Sequence, residues 1–346
     1  MDRDHPAATV AINARAAIRA QIGGVERFAR ELSLRLPARR PERYCVIRPP
    51  AGLAHRAGHL WEQAVLPVAA RGSALLLSPA NLAPVIGRGS VVVIHDAAAI
   101  RHPEAYTAPY VAYQRRMLPL IARRARLVIT VSEFARAELV DVLGLDPDQV
   151  RVVPEGVDER FSPEADPAPP VRRHQLERPY VLCVGTVSER KNLLALEPAA
   201  RALRDDGIEL VLAGSDRGYM RGPASTLRRL GYVRESELPG LYAGALALAI
   251  PSRYEGFGLP CLEGMACGAP VVAADAGALP ETCGDAALLV APGEPDAFTD
   301  ALRAVISDHA LRATLVAAGL ARAARFTWDA TAARTDGLID GLLAGG

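Results

Sequence analysis

Lysine is almost missing from this sequence. The chain of 346 residues has 40 lysines and arginines together, yet Lys191 is its single lysine. Compositional pressure that favours arginine could leave one lysine by chance. The alternative is that this position needs a compact, strongly hydrated charge on a flexible stem, which the planar guanidinium of arginine does not offer. Phosphate is a common partner for such a charge, so the residues around Lys191 must decide between the two explanations.

Aromatic residues, paired cysteines and long apolar runs are also scarce. Aromatics make up 5% of a chain that is half hydrophobic, and small aliphatic residues suit helices packed on parallel sheets. None of the five cysteines belongs to a Cys-x-x-Cys pair, which argues against a zinc site and for a reduced chain. No apolar run approaches the ~18 residues of a membrane span, and the charged N-terminus lacks a signal-peptide core. We expect a soluble, cytoplasmic protein.

A strong excess of either charge is absent. The net charge of +1 gives no electrostatic case for nucleic acid as a partner. The charge is unevenly distributed along the chain. Residues 1–165 have 22 arginines and 17 acidic residues, a net charge of +5, whereas residues 166–346 have 18 basic and 22 acidic residues, a net charge of −4. Five arginines crowd one predicted helix of the first part: Arg115, Arg116, Arg123, Arg124 and Arg126. A solvated face is the ordinary interpretation, and peripheral contact with an anionic membrane, at its inner face, is the alternative.

Short apolar runs alternate with amphipathic helical patterns along the chain. Strands are predicted at 9–14, 44–48, 74–79, 91–96, 127–132 and 149–158, and then at 180–186, 209–214, 230–233, 245–252, 270–275 and 286–292. Helices between them include 24–36, 110–125 and 132–144, the last with Ser132 as its N-cap. Strands and helices that alternate in this way predict doubly wound parallel sheets.

A stretch rich in proline and charge, residues 160–179, interrupts the pattern before it begins again. Together with the chain length, this predicts an N-terminal Rossmann-like domain over 1–165, a linker over 166–179 and a second Rossmann-like domain over 180–325. Residues 326–346 are expected to form a helix that packs back on the N-terminal domain. The expected fold is α/β, two Rossmann-like domains facing a central cleft, with ligands beyond the carboxyl ends of the strands.

The stretch "SRYEGFGLPCLEGMACGAPVV", residues 252–272, has the strongest local signal. A strand ends near Ser252, a glycine-bearing turn follows, and Pro260 fits the first turn of a helix. The backbone N–H groups of Phe257, Gly258 and Leu259 then lie at a helix N-terminus, which favours an anion. Glu255 and Glu263 flank this turn with seven residues between them, and such acceptor-only carboxylates suit sugar hydroxyls. A glutamate in a helix usually faces water, but the glycines and the proline favour a site.

This motif resembles the Glu–seven residues–Glu signature of the retaining glycosyltransferases of family 4, which have the two-domain fold called GT-B. "GALPE" follows it at 277–281, and "GGVERFARELS", "VIHD", "ITVSEFARAEL", "VRVVPEGVD" and "YVLCVGTVSERKNL" resemble family segments in the expected order. The similarity covers nearly the whole chain and is closest to bacterial mannosyltransferases of polysaccharide assembly.

The resemblance implies roles for particular residues. Lys191 and Arg190 would hold the donor diphosphate, and Glu263 would bind the ribose hydroxyls. Glu255 would contact the transferred sugar, and the amides of Phe257, Gly258 and Leu259 would contact phosphate and sugar. Many relatives have an arginine directly after the glycine of the lysine motif, whereas Thr186 follows Gly185 here. In this interpretation Arg190 supplies the second positive charge.

The predicted N-terminal domain contributes His95 and the pair Gly23 and Gly24. His95 follows a strand; a lone histidine is more often structural, but the family has a histidine here that contacts the donor sugar. Gly23 and Gly24 lie between a strand and a helix, where glycines let the backbone approach phosphate, although ordinary turns use the same pair. The catalytic set is thus predicted as His95, Arg190, Lys191 and Glu255, with Gly23, Gly24, Phe257, Gly258, Leu259 and Glu263 binding the donor.

No metal or other cofactor is expected. The "DPD" at 146–148 matches the Asp-x-Asp metal motif of a different fold of glycosyltransferase, but Pro147 in a helix-to-strand connection indicates a turn. By the resemblance, the first domain binds the acceptor and the second binds the nucleotide sugar. The hypothesis is metal-independent, retaining transfer of a hexose, with mannose first, to a saccharide, a lipid-linked saccharide or a small-molecule acceptor. GDP-mannose is the first donor to consider and a UDP-sugar the second.

Two alternatives stay open. One is a nucleotide-sugar epimerase or hydrolase on the same fold, against which the spacing of the two glutamates argues. The other is a protein that binds nucleotide sugars without catalysis. A dinucleotide dehydrogenase is disfavoured, because no Gly-x-Gly-x-x-Gly follows the first strand of either predicted domain.

Overall fold

The chain folds into two compact units. The computed structural model describes residues 9–19, 21–50, 53, 58–87, 89–294 and 296–345. The first unit consists of Met1–Ala97, Ala112–Gly156 and Trp328–Gly346, and the second of Ala98–Val111 and Val157–Thr327. The expectation about a signal peptide concerns residues 1–14, of which residues 1–8 lie outside the described residues.

The first unit is built on a six-stranded parallel sheet. Its strands are β1 (Val10–Asn13), β2 (Tyr44–Ile47), β3 (Leu75–Ser78), β4 (Ser90–Val93), β5 (Leu127–Thr130) and β6 (Val150–Val152). They are hydrogen-bonded in the order β2-β1-β3-β4-β5-β6. Each of these strands was predicted from an apolar run, and β1, β3 and β5 are buried along their whole length, as strands covered on both faces should be.

The second unit repeats this architecture. Its strands are β7 (Tyr180–Val184), β8 (Glu209–Ala213), β9 (Arg228–Gly231), β10 (Ala247–Ile250), β11 (Val271–Ala274) and β12 (Ala287–Val290), in the parallel order β12-β11-β10-β7-β8-β9. The strand predicted at 230–233 lies earlier, at β9, because Gly231 has a φ of 73° and ends it. The expected α/β class with doubly wound sheets is confirmed.

Fourteen helices cover the sheets in the part of the chain that the structure describes. They are α1 (Gly24–Arg39), α2 (Gly58–Ala64), α3 (Leu66–Ala69), α4 (Ala98–Arg101), α5 (Ala108–Arg124), α6 (Glu133–Leu143), α7 (Ala168–Arg173), α8 (Glu197–Asp205), α9 (Leu238–Ala243), α10 (Leu259–Ala266), α11 (Leu279–Cys283), α12 (Ala297–Ser307), α13 (His309–Ala323) and α14 (Trp328–Ala344). Ser132 caps α6 as predicted, since its Oγ accepts a hydrogen bond from the backbone N–H of Ala135 at 3.0 Å. Residues 146–148 form the predicted turn, in which Asp146 accepts from the N–H of Asp148.

The C-terminal helix belongs to the first unit, as the sequence predicted. The Trp328 ring at the start of α14 meets Phe28 of α1 edge-on at 5.8 Å between centroids. Further along α14, the buried carboxylate of Asp336 accepts a hydrogen bond of 2.6 Å from the Tyr44 hydroxyl. The same carboxylate forms an ion pair with Arg40 at 3.0 Å. Apolar packing and a satisfied buried carboxylate therefore hold this helix.

Residues 98–111 and helix α7 make long-range contacts that no local sequence pattern predicts. Residues 98–111 belong to the second unit, where the Tyr110 ring stacks on Tyr219 at 4.7 Å and Tyr106 forms a β-bridge with Met220. Within the proline-rich stretch, α7 packs on α9. The boundaries 1–165, 166–179, 180–325 and 326–346 stay a prediction.

No single helix in the described part of the chain is both long enough and apolar enough to cross a membrane, and the pair α12 and α13 meets the length and composition test only when joined across a 95° bend.

Candidate active site

The loop after β7 carries Lys191. The strand ends at Val184, Gly185 follows, and the loop then forms one turn of 3-10 helix over Glu189–Lys191. The turn ends at Asn192, whose backbone adopts the left-handed conformation with a φ of 51° and whose side-chain amide donates to the carbonyl of Pro251 at 3.2 Å. The backbone N–H of Arg253 donates to the carbonyl of Arg190 at 2.9 Å. The loop is therefore fastened to the segment that follows β10.

A buried ion cluster forms where these two loops meet. The Lys191 ammonium donates to Oε1 of Glu255, and Nη1 of Arg190 donates to Oε2 of Glu255 at 3.1 Å. The Ser252 hydroxyl donates to Oε1 at 2.8 Å. Lys191 is 8% exposed and Glu255 is 7% exposed. Three residues that the sequence placed in the catalytic set are thus in direct contact.

The two cations hold the Glu255 carboxyl ionised. Burial alone would raise the pKa of this carboxyl, but the charges of Lys191 and Arg190 outweigh burial, and the hydrogen bonds from Lys191 and Ser252 add to their effect. The pKa of Glu255 is lowered to about 2. Burial raises the pKa of the neighbouring Cys183 thiol to about 12, so this thiol stays uncharged at neutral pH. Glu255 therefore supplies the anion that balances Lys191.

The space around Lys191 suits an ammonium group better than a guanidinium group. The end of its side chain lies in a narrow pocket, too tight for a free water molecule, that is lined by Cys183, Val184, Gly185, Lys191, Leu193, Ile250, Pro251 and Ser252. A Cβ on Gly185 would lie 3.1 Å from Cε and 3.2 Å from Nζ of Lys191. A guanidinium is wider than an ammonium group and needs more hydrogen-bond partners, so the geometry favours a requirement for lysine over chance.

The turn before α10 has the predicted form. Gly258 caps the helix with a φ of 102°, and Pro260 lies in the first turn. The carbonyl of Phe257 accepts a 2.5 Å hydrogen bond from the Thr282 hydroxyl, which fixes the turn from α11. The first N–H groups of a helix have no intrahelical partner, so Phe257, Gly258 and Leu259 lie where the anion-binding role predicted for their amides would require.

Glu263 lies inside α10 and is 3% exposed. One of its carboxylate oxygens accepts a hydrogen bond of 2.9 Å from the Tyr242 hydroxyl. A carboxylate that is buried in a helix needs such partners, and this contact orients it. The ribose-binding role of Glu263 stays a prediction.

The first unit brings the other predicted residues together through a glutamate that the sequence analysis did not single out. His95 lies just after β4, and its Nδ1 is 3.1 Å from Oε1 of Glu155. A Cβ on Gly24 would lie 3.8 Å from Oε2 of Glu155. The N–H of Gly23 donates to Glu26 at 3.0 Å at the start of α1. Glu155 therefore lies between His95 and the glycine pair. The signal that could have identified it was its place as a polar residue in "VRVVPEGVD", just after β6.

Metal ligands do not gather in the described ranges: no group of three or more His, Cys, Asp and Glu side chains there could hold a metal ion.

We expect that replacing Glu255 by glutamine lowers the free energy of unfolding. The change leaves the buried Lys191 ammonium without its carboxylate partner, which costs about 3–5 kcal/mol at pH 7 and is measured by urea denaturation. Because folding lowers the pKa of Glu255, its stabilisation is present above the ordinary value of 4.5 and is lost as the pH falls toward 2. The difference between wild type and Glu255→Gln should therefore narrow over that range.

The matched control is Asp216→Asn, which removes an exposed carboxylate that pairs with Arg229. Such surface pairs contribute little, so this variant should unfold like the wild type. A Glu255→Gln protein as stable as the wild type at pH 7 would contradict the importance of the cluster.

Two family models match the chain. "Glycosyl transferases group 1" matches residues 178–308, and "Glycosyltransferase Family 4" matches residues 72–161. O-antigen chain mannosyltransferase B from Escherichia coli is 33% identical over 258 residues, which cover 69% of this chain and 67% of that protein. D-inositol 3-phosphate glycosyltransferase from Frankia alni is 36% identical, over 62% of this chain and 58% of its own length. MMP alpha-(1->4)-mannosyltransferase from Mycolicibacterium hassiacum is 30% identical, over 68% of this chain and 58% of its own length.

Solved structures share the fold over almost the whole chain. Sucrose-phosphate synthase from Thermosynechococcus elongatus superimposes with a TM-score of 0.74 at 21% identity, over 97% of this chain and 99% of that one. Anabaena HepE in complex with UDP-glucose gives 0.72 at 20% identity, over 96% and 99%. Because the match to the E. coli relative covers two thirds of that protein, and the motifs and fold agree with it, the chain belongs to glycosyltransferase family 4 and has the GT-B fold.

Proposed function

We propose that this chain is a retaining, metal-independent hexosyltransferase that uses a nucleotide-diphosphate sugar as donor. The observation that carries the proposal is the buried contact of Lys191 and Arg190 with Glu255. It lies after β7 and β10, at the carboxyl ends of two neighbouring strands of the second sheet. Open α/β sheets bind their ligands at such ends.

The cluster can exchange one anion for another. The Glu255 carboxylate is held by an ammonium, a guanidinium and a hydroxyl, which are also the donors that bind phosphate oxygens. In the proposal, the donor diphosphate takes over Lys191 and Arg190, and the released carboxylate turns to the transferred sugar. The two cations then stabilise the charge that develops on the departing diphosphate, which is usually a large catalytic effect.

The same arrangement supports the proposal of metal independence. The nucleoside diphosphate that leaves the sugar carries negative charge that must be neutralised. Lys191, Arg190 and the N-terminus of α10 supply positive charge for this without a bound metal ion. His95 is assigned to the donor sugar, Glu263 to the ribose, and the Gly23–Gly24 turn to the donor as well. Acid-base help from a donor phosphate oxygen, with front-face attack, is the course that the family resemblance implies.

The relatives indicate donor and acceptor classes. The E. coli and Mycolicibacterium proteins are named mannosyltransferases, which supports GDP-mannose as the first donor, and HepE was solved with UDP-glucose, which supports a UDP-sugar as the second. The names also point to a growing saccharide chain, with or without a lipid carrier, or to a small-molecule acceptor. A cytoplasmic location stays a prediction.

The direct test measures release of the nucleoside diphosphate from GDP-mannose and from UDP-sugars, with and without acceptor saccharides. We expect release that requires acceptor and persists in a chelator, and a product in which NMR shows the anomeric configuration of the donor. Equal release without acceptor would favour the epimerase or hydrolase alternative. Binding of every donor without turnover would favour a non-catalytic binding protein, and an inverted product would refute retention.

The same assay tests Lys191. Lys191→Ala should reduce kcat about 100- to 1000-fold, because it removes charge stabilisation from the leaving group. Lys191→Arg should not restore the rate, because the Lys191 side chain lies close against Gly185 and the planar guanidinium is wider than an ammonium group. The control is Arg201→Ala, an exposed cation of α8 in the same unit, which should leave kcat unchanged. Near-normal turnover of a folded Lys191→Ala protein would remove the lysine from the mechanism.

The proposal includes an anionic membrane as a peripheral partner of the first unit. Arg115, Arg116, Arg123, Arg124 and Arg126 are all exposed, with Leu120 41% exposed among them. The guanidiniums of Arg123, Arg124 and Arg126 donate to backbone carbonyls, which leaves their charge unneutralised by those contacts. Ile86 is 75% exposed and lines a surface pocket with Arg124 and Arg126. Apolar side chains among arginines suit the headgroup region of an anionic bilayer.

Sedimentation with lipid vesicles tests this contact. The protein should bind vesicles that contain phosphatidylglycerol and not vesicles of phosphatidylcholine alone. Arg115→Gln combined with Arg116→Gln should weaken binding about 30-fold, because each basic side chain near an anionic surface contributes about 1 kcal/mol. The matched pair Arg201→Gln and Arg204→Gln, exposed on α8, should bind like the wild type. Equal losses in both pairs would indicate a general charge effect and contradict the assigned surface.

A further inference from the structure

A short part of the segment 98–111 forms a two-stranded ladder inside the second unit. Residues 105–107 run antiparallel to residues 219–221, with a β-bridge between Tyr106 and Met220. One backbone N–H of each segment donates to a carbonyl of the other, at 3.0 Å from the first segment and at 2.8 Å from the second. Because these two hydrogen bonds lie on either side of the bridged pair, they fix the register of the ladder.

The same ladder holds the turn that carries Lys191. The backbone N–H of Glu189, the first residue of this 3-10 turn, donates to the carbonyl of Arg221 at 2.8 Å. The N–H of Arg221 in turn donates to the carbonyl of Ala105 at 2.8 Å. A chain of two backbone hydrogen bonds therefore connects Ala105 to the Lys191 turn.

Close packing supports this connection at Gly222. A Cβ at this position would lie 2.7 Å from Cγ1 of Val187 and 2.9 Å from the backbone nitrogen of Ser188, both in the loop after β7. Packed protein interiors have low compressibility and transmit strain. The turn that ends at Gly222 therefore lies directly against the loop, with no space for one more methyl group.

His102 makes a second contact with the surroundings of the buried ion cluster. Its ring meets the Tyr254 ring edge-on at 5.0 Å between centroids. The Tyr254 carbonyl accepts a hydrogen bond of 3.0 Å from Nη1 of Arg190, and the same nitrogen donates to Oε2 of Glu255 at 3.1 Å. Tyr254 is 3% exposed and directly precedes Glu255. His102 therefore packs on the residue whose backbone helps to orient Arg190 toward Glu255.

Both contacts end at residues that hold the cluster in place. The ladder reaches the Lys191 turn, and His102 reaches Glu255 through Tyr254. Groups that bind and stabilise a reacting ligand must be held within about 0.5 Å of their productive positions by neighbours that are themselves fixed. The segment 98–111 meets this requirement, because its own backbone is fixed by the ladder.

We propose that residues 102–107 form a brace that positions the buried ion cluster, with His102 and the ladder at 105–107 as its two points of support. This rests on the proposed function, in which Lys191 and Arg190 of the cluster bind the donor diphosphate. The brace acts through neighbouring residues and takes no chemical step itself. Changes in the brace should therefore displace the cations without removing a charge from the cluster.

The brace comes from a part of the chain that otherwise belongs to the first unit. The chain leaves that unit after Ala97 and returns to it at Ala112, within α5. The candidate site of the second unit is thus completed by a segment that lies far earlier in the sequence than the predicted boundary at residue 180.

The single lysine of the chain allows a direct test. In the full chain labelled with ¹³C- and ¹⁵N-lysine, every lysine signal in an NMR spectrum belongs to Lys191. Gly222→Ala should shift the backbone amide and side-chain signals of Lys191, because the added Cβ pushes against the backbone of Ser188. The matched control is Gly218→Ala in the same turn, where a Cβ would meet no described atom within 4 Å. Its lysine signals should coincide with those of the wild type.

His102 is tested by the same signals and by turnover. His102→Ala removes the ring that packs on Tyr254 and should shift the lysine signals, whereas His102→Phe keeps an aromatic ring and should restore them. In the transferase assay, Gly222→Ala and His102→Ala should each reduce kcat about 10- to 100-fold, since a misplacement of about 1 Å can cost 100-fold. His102→Phe and Gly218→Ala should stay within about twofold of the wild type. Equal losses in His102→Ala and His102→Phe would contradict the packing role of His102.

A Lys191→Ala background separates positioning from general damage. Gly222→Ala should cause little further loss of kcat there, because the group that it displaces is already absent. An equal loss in both backgrounds would overturn the proposal, as would lysine signals that Gly222→Ala and His102→Ala leave unchanged. If Gly222→Ala does not fold, the lysine signals of His102→Ala and His102→Phe decide. If no nucleotide sugar supports transfer, the proposed function fails, and the lysine spectra still show whether the brace positions Lys191.

Discussion

The contact on which the second unit's site depends is the burial of one carboxylate between two cations. Taking an ion out of water costs several kcal/mol unless its partners replace the lost hydration. The Glu255 carboxylate accepts hydrogen bonds from Lys191, Arg190 and Ser252, which lie in the loops after β7 and β10. Gly277, with a φ of 60°, has no room for a Cβ, which would come within 2.8 Å of the Glu255 backbone nitrogen. The turn after β11 therefore packs directly against the backbone of Glu255, and the N–H of Ala278 donates to the Glu255 carbonyl at 3.0 Å.

Much of the fold could be predicted from the sequence because its signals are local. The strands are continuous apolar runs, Ser132 stands directly before its helix, and Gly258 and Pro260 mark the start of α10. The assignment of residues 98–111 to the second unit could not be predicted, since Tyr106 and Tyr110 meet residues of the 219–220 turn more than a hundred positions away. Patterns with a helical or strand period contain no information on such partners.

In the candidate site, too, local features could be predicted from the sequence and long-range contacts could not. The resemblance selected Lys191, Arg190 and Glu255, but it gave the cations to a diphosphate and the carboxylate to a sugar, and so did not indicate that they bind one another. Glu155 was missed because a single glutamate after a strand has no distinctive spacing, and its partner His95 lies 60 positions earlier. In both cases the missing information was the pairing of buried polar side chains, which is a property of the tertiary structure.

The pairing of Lys191 and Arg190 with the single buried carboxylate of Glu255 also bears on selectivity. A ligand that takes Lys191 and Arg190 must replace an anion of charge −1 that already has good geometry and a pKa of about 2. A single carboxylate or a neutral hydroxyl gains nothing in this exchange, because it offers no more charge than the group it displaces. In the proposed function, a diphosphate would bring at least two negative charges and several acceptor oxygens, and it would gain Coulomb energy with both cations while releasing Glu255 toward the sugar hydroxyls. Under that proposal, the internal ion pair would favour diphosphate donors over smaller or less charged anions.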